Sequence, residues 1–227
     1  MKNRNALVQP SFSSSPDREH PSAFTGRVAD ELRRLTHPAH VRINRHPLLV
    51  GLTLPGYPLE RYRAILAVYG HLYEAIEAKI EAFLARSATP FDYSQRRKHP
   101  WLQEDAAALE IDVRHPRYRP QRPIALDDLV STGQLIGVLY TIEGATQGGQ
   151  VISRHLAATL NLTAGTGARF FNGYGDPMET HRRWQQFCAF ADSILHLPDQ
   201  RSAAGLSALG IFALIEEHLN DCHARLG

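Results

Sequence analysis

Cysteine is nearly absent. Two residues among 227, Cys188 and Cys222, cannot make a disulfide framework or a thiolate zinc site. Both are expected reduced, which fits a cytoplasmic protein. Long apolar runs are missing too. The nearest candidate, Leu135 to Val151, is interrupted by Glu143, Gln147 and Gln150, short of the ~18 uninterrupted residues a membrane span needs. The N-terminal stretch lacks the apolar core of a secretory signal. Residues 1–24, rich in Ser, Pro and charge, read instead as a disordered tail before a single domain over 25–227. Charge of one sign is not in excess either. With 25 Lys+Arg against 23 Asp+Glu, the net charge of +2 is too small to imply a nucleic-acid partner.

What is present is helical periodicity. Val28, Leu32, Leu35, Ala39 and Ile43 recur near a 3.6-residue period over 26–45. After the breaker run Leu54-Pro55-Gly56-Tyr57-Pro58, an amphipathic helix is expected over 59–86, its stripe running from Tyr62 to Leu84. A shorter helix is expected over 101–110 and a proline-rich loop over 111–123. A long helix over 126–160 follows, with a break or kink near Gly148-Gly149. A glycine-rich turn region at 165–177 precedes two last helices, over 177–196 and 200–224. Period-two alternation is nearly absent, so the fold class is all-α, one helical bundle.

Two features point to chemistry. Within 131–156, an advance of 100° per residue puts Gly133, Gly137, Gly144 and Gly148 on one face, within about 60° of one another. Each interior glycine costs roughly 1 kcal/mol against alanine, so something must lie close to that backbone. Tight helix packing and a flat ligand both satisfy the requirement. The second feature is histidine. The chain has 12, and none forms an H-E-x-x-H or other clustered ligand motif. His181, His196, His218 and His223 are expected on polar faces of the last two helices. A lone histidine can still hold haem iron, because the porphyrin supplies four nitrogens. A flat ligand and a lone axial histidine are mutually supporting requirements.

Two motifs carry a resemblance. Leu32-Arg33-x-x-Thr36-x-x-x-His40 and Tyr140-x-x-Glu143-Gly144-x-x-x-Gly148-Gly149 together resemble the haem oxygenase family, in its bacterial biliverdin-forming branch. The resemblance spans roughly residues 26–222. It implies that haem (iron protoporphyrin IX) is both cofactor and substrate, opened by O₂ and electrons to biliverdin, CO and iron. It makes His40 the proximal iron ligand and puts Gly144 and Gly148 on the distal side, against O₂. Thr36, Tyr140, Gln147 and Gly149 join them as cofactor-binding candidates.

The resemblance also implies an electron donor, a ferredoxin-type protein or a flavoprotein reductase, and a bilin-binding photoreceptor as a product acceptor. A haem carrier or sensor without turnover is the alternative. Arg33, two turns or roughly 10.5 Å before His40 on the same face, is placed for a haem propionate. Where relatives carry further propionate-binding basic residues this chain has Trp184 and Cys188, with Arg182 and Arg183 close by. Ala145 stands where the mammalian branch has a distal Asp, leaving proton delivery to backbone, water or Gln147. Pro38 favours a helix start at that residue, capped by Thr36 or His37, which would separate Arg33 from His40.

Overall fold

The computed structural model describes residues 26–226, so the expected tail lies outside the described residues. These form seven α-helices and no strand: α1 (Val28–Asn44), α2 (Leu59–Arg86), α3 (His99–Ala108), α4 (Thr132–Leu160), α5 (Arg169–Asn172), α6 (Pro177–Ile194) and α7 (Pro198–Leu226). A 3₁₀ turn at Ser94–Arg96 leads into α3.

α1 does not restart at proline: it is continuous from Val28 to Asn44 with Pro38 inside it. A helical proline removes the N–H that the carbonyl four residues back would accept, here that of Arg34. Arg34 is exposed, so water can take that carbonyl. Thr36 is no cap, since its hydroxyl donates back to the Leu32 carbonyl at 2.8 Å. The helix is instead pinned at its start, where the Val28 N–H donates to Asp192 of α6 at 2.8 Å. Arg33 and His40 therefore share one helix face.

α4 also departs from expectation. It begins at Thr132 and not near 126, because Ser131 caps it by accepting the Gln134 N–H at 3.2 Å. It then runs unbroken through Gly148-Gly149 and ends on Asn161, at φ 55°.

The core gathers where α2 and α4 meet. Ile65, Leu72, Ile76 and Ile80 are fully buried, as are Leu135, Ile136 and Leu139. Val28 and Leu32 of α1 belong to this main cluster, whereas Ala39 and Ile43 form a separate small one with Phe212 of α7. Leu35, read as apolar-face, is 48% exposed and leans over Gly205. α7 is long and apolar enough to cross a membrane, but packs along α4 and α1 in the bundle. His218, expected on a polar face, is buried with Nδ1 on the Leu214 carbonyl at 2.9 Å.

The short helix α5 depends on one carboxylate. Asp105 of α3, fully buried, accepts the Arg169 N–H at 2.6 Å and the Phe170 N–H at 2.8 Å. Burial outweighs those donors and pushes its pKa up to about 6. A folded-state pKa above the unfolded one makes a contribution that is fully present below about pH 4 and is lost as pH rises through 6. Denaturant titrations between pH 4 and 7 should therefore show Asp105→Asn with a smaller loss of stability on raising pH than the parent chain. Equal slopes would remove this role.

Candidate functional site

The glycine face of α4 changes its neighbour halfway along. A Cβ on Gly133 would sit 2.5 Å from the Gln200 carbonyl oxygen, and one on Gly137 would overlap the Ala204 carbonyl. This half is closed by the backbone of α7. On the same face two turns further on, Gly144 meets only the indole edge of Trp184, at 3.7 Å from its Cβ position. Gly148 meets nothing within 4 Å. Packing and an open flat face thus both occur on one helix, divided between its halves. Gly149, grouped with Gly148 in the sequence, points elsewhere: its Cβ would lie 2.8 Å from the Phe171 carbonyl oxygen. Its lack of a side chain serves α5 packing and not the open face.

α1 touches α4 where the Thr36 hydroxyl lies 3.5 Å from that of Tyr140. One turn beyond this contact stand His40 on α1 and Gly144 on α4. His40 is exposed, its ring edge-on to Phe212 at 6.2 Å between centroids. Partial burial, aided by the neighbouring His37, lowers its pKa and favours the neutral ring. Asn44, one turn on, places its side-chain amide 3.3 Å from His40 Nδ1. Arg33 is exposed, and its charge partly offsets the rise that burial imposes on the Tyr140 pKa. Gln147 turns toward α6 and donates to the Thr180 carbonyl at 3.0 Å, while Ala145 is exposed.

Behind the glycine face lies a buried ionic cluster. Glu143, 1% exposed, accepts from Lys98 Nζ at 2.6 Å and from Arg96 Nη1 at 2.8 Å. The Tyr174 hydroxyl lies 3.0 and 3.1 Å from the two Glu143 oxygens and accepts from Lys98 at 3.3 Å. Arg96 also reaches α6, donating to the Arg183 carbonyl and the Gln186 side chain, both at 3.2 Å. Glu77 of α2 accepts the Tyr93 hydroxyl at 3.0 Å and the Lys98 N–H. Lys98 is 0% exposed, and desolvation pulls its pKa down against the pull of Glu143.

Sequence reasoning singled out Glu143 only as a motif letter and missed Arg96, Lys98 and Tyr174 altogether. A signal was available. Glu143 is the only charged residue between Ser131 and Ser153, and a carboxylate alone in an apolar helix requires a buried cation.

Comparison with known proteins places this geometry. A family profile described as heme oxygenase matches residues 26–221. No curated protein matches by sequence. Among solved structures, the chain is similar to the heme oxygenase of Neisseria meningitidis in NO- and CO-bound form (19% identity, TM-score 0.67, covering 88% of this chain and 94% of that one). It is similar to heme oxygenase from Leptospira interrogans (16%, TM-score 0.68, 86% and 98%). A third likeness is to heme oxygenase-2 from Synechocystis in complex with heme and NO (18%, TM-score 0.69, 88% and 86%).

The glycines make a direct test of the divided face. Gly137→Ala should cost about 2–3 kcal/mol, because α7 backbone must move. Gly149→Ala should also destabilise, by about 1–3 kcal/mol. Gly148→Ala should instead stabilise by about 0.5–1 kcal/mol, gaining helix propensity in open space. Denaturant midpoints of the ligand-free chain measure all three. In the cluster, Lys98→Met leaves Glu143 short of a buried cation and should cost about 3–5 kcal/mol.

Proposed function

This chain belongs to the haem oxygenase family, and from that premise we propose that it cleaves haem with O₂ and electrons to biliverdin, CO and iron. The open distal face at Gly148 carries the reading, because it is a helix backbone left bare where alanine would be more stable. The residues around it suit iron protoporphyrin. Gly148 offers a flat open approach, His40 offers a neutral imidazole, and Arg33 on the same face of α1 offers a cation for carboxylates.

When bound, haem supplies the iron that activates dioxygen and the ring carbon that is oxidised. The protein then has to hold, orient and hydrate it. His40 would hold the haem iron through Nε2. As placed, the Asn44 amide nitrogen donates to His40 Nδ1 at 3.3 Å, and ligation through Nε2 requires that amide to flip so that its oxygen accepts the Nδ1 proton instead. Gly148 lets the distal backbone come close without a side chain intervening, whereas the approach to Gly144 is bordered by the Trp184 indole. Thr36 and Tyr140 join the two helix walls through their hydroxyls and do not require ligand contact. With alanine at 145, Gln147 is the candidate for the proton path, because the hydroxyl of its neighbour Thr146 is spent on the Glu143 carbonyl at 2.6 Å. Thr180 occupies its amide nitrogen, so Oε1 remains to accept from an ordered water. Protons then arrive through solvent.

We extend the reading to partners and location. A soluble ferredoxin-type protein or flavoprotein reductase supplies the electrons, and the exposed Arg33 and Arg34 of α1, with Arg45 just beyond its end, form the cationic rim for it. Biliverdin passes to a bilin-binding photoreceptor or is the by-product of iron release. The compartment is the cytoplasm.

Haem titration tests the site: a Soret band should appear with the parent chain, and His40→Ala should lose it or shift it to a different coordination. Unchanged coordination in that variant removes His40 as ligand. Adding a competent reductase in air should convert the complex to biliverdin, read by its absorption. A complex that remains intact under those conditions would be a haem carrier and not an oxygenase.

A further inference from the structure

We propose that Trp184 is a specificity-determining residue, a stop that fixes how far the porphyrin extends along the distal helix, and that Arg96 is the positioning residue that holds it there. The proposal rests on the haem reading above and deepens it.

The geometry is local. Gly144 and Gly148 lie on one face about 6 Å apart along the helix. At Gly148 the space is open, whereas at Gly144 the indole already stands at van der Waals range, with Cζ3 and Cη2 at 3.7 and 3.8 Å from the Cβ position. A flat ligand can cover Gly148 freely but reaches Gly144 only by meeting or moving Trp184. The indole is not loose. Its ring lies 5.9 Å from Tyr140 and 5.4 Å from the fully buried Phe187, so aromatic neighbours brace it from α4 and α6.

Arg96 sets the distance across this gap. It bonds Glu143 on α4 at 2.8 Å and the Arg183 carbonyl on α6 at 3.2 Å, the residues immediately before Gly144 and Trp184. Its guanidinium also stacks over Phe91, which packs on Phe190 of α6. One buried side chain therefore spaces the glycine from the indole.

At positions 184 and 188 this wall offers no charge. Trp184 carries no cation, and one turn on, burial raises the Cys188 thiol to about 11, with Asp192 and Asp30 adding to the rise. The α6 wall therefore suits a methyl or vinyl edge of the porphyrin better than a carboxylate. A steric stop at Trp184, in place of an ion pair, then decides which ring carbon lies over Gly148.

The experiment uses the full chain loaded with haem and saturated with cyanide. Hyperfine-shifted haem methyl resonances in the proton NMR spectrum report in-plane seating, the Soret band reports ligation, and chromatography of the product reports the biliverdin isomers. Trp184→Leu should keep the Soret band, alter the methyl-shift pattern and change the isomer ratio at least several-fold. Arg96→Met should alter the methyl pattern in the same direction while also lowering the melting temperature. If Trp184→Leu does not fold, Trp184→Phe provides the same readout with a smaller ring. An unchanged methyl pattern beside an intact Soret band overturns the proposal. A parent chain that gives no Soret band would overturn the underlying haem reading, a separately visible failure.

Discussion

The arrangement depends on burying Glu143. A carboxylate inside an apolar helix is several kcal/mol too costly unless cations come to it, and here they come from the segment before α3. Arg96 and Lys98 descend on it from that segment, which is thereby tied to α4, and Arg96 continues to α6. Glu77 takes the other end of the turn through Tyr93 and the Lys98 backbone, so α2 joins as well. Three long helices thus share one buried junction of two carboxylates and two cations. Every position on the functional side of α4 is referred to it, because Glu143 and Gly144 are consecutive.

A second constraint works by subtraction. α7 reaches α4 at backbone distance because Gly133 and Gly137 have no side chains, and α5 does the same at Gly149. Those contacts are long-range, yet each is written in a single residue type. Gly144 and Gly148 differ only in having no backbone against them. The same composition thus builds a packed seam and an open cleft, and the neighbour decides which.

Much of this was legible in the sequence. The all-helical class, the exact span 59–86 of α2, and the last two helices to within about two residues followed from periodicity and proline. Family membership followed from two short motifs, as the profile match bears out. What resisted was tertiary. Pro38 carries every local mark of a helix start, but the pinning of Val28 by Asp192, 164 residues away, carries the helix across it. The stretch 126–131 looks apolar enough for helix, yet Ser131 supplies a capping oxygen and ends that option. The division of the glycine face is invisible to a helical wheel, because the wheel records angle and not which neighbour lies there. The 96–99 run of basic residues looks like solvated surface until Glu143 is seen to need it.

The two hydrophobic clusters under α1 carry a further consequence. Pro38 stands at the boundary between them: Val28 and Leu32 before it are rooted in the main core, while Ala39 and Ile43 after it belong to a smaller cluster with Phe212, flanked by Leu49, Leu209 and Ile215. The helix has one backbone bond fewer at this boundary and little apolar area holding its second half. Opening free energy in a native protein follows such local differences. The half that carries His40 is therefore the cheaper to lift, and the amides from Ala39 to Asn44 belong to a smaller cooperative unit than those from Ala29 to Thr36.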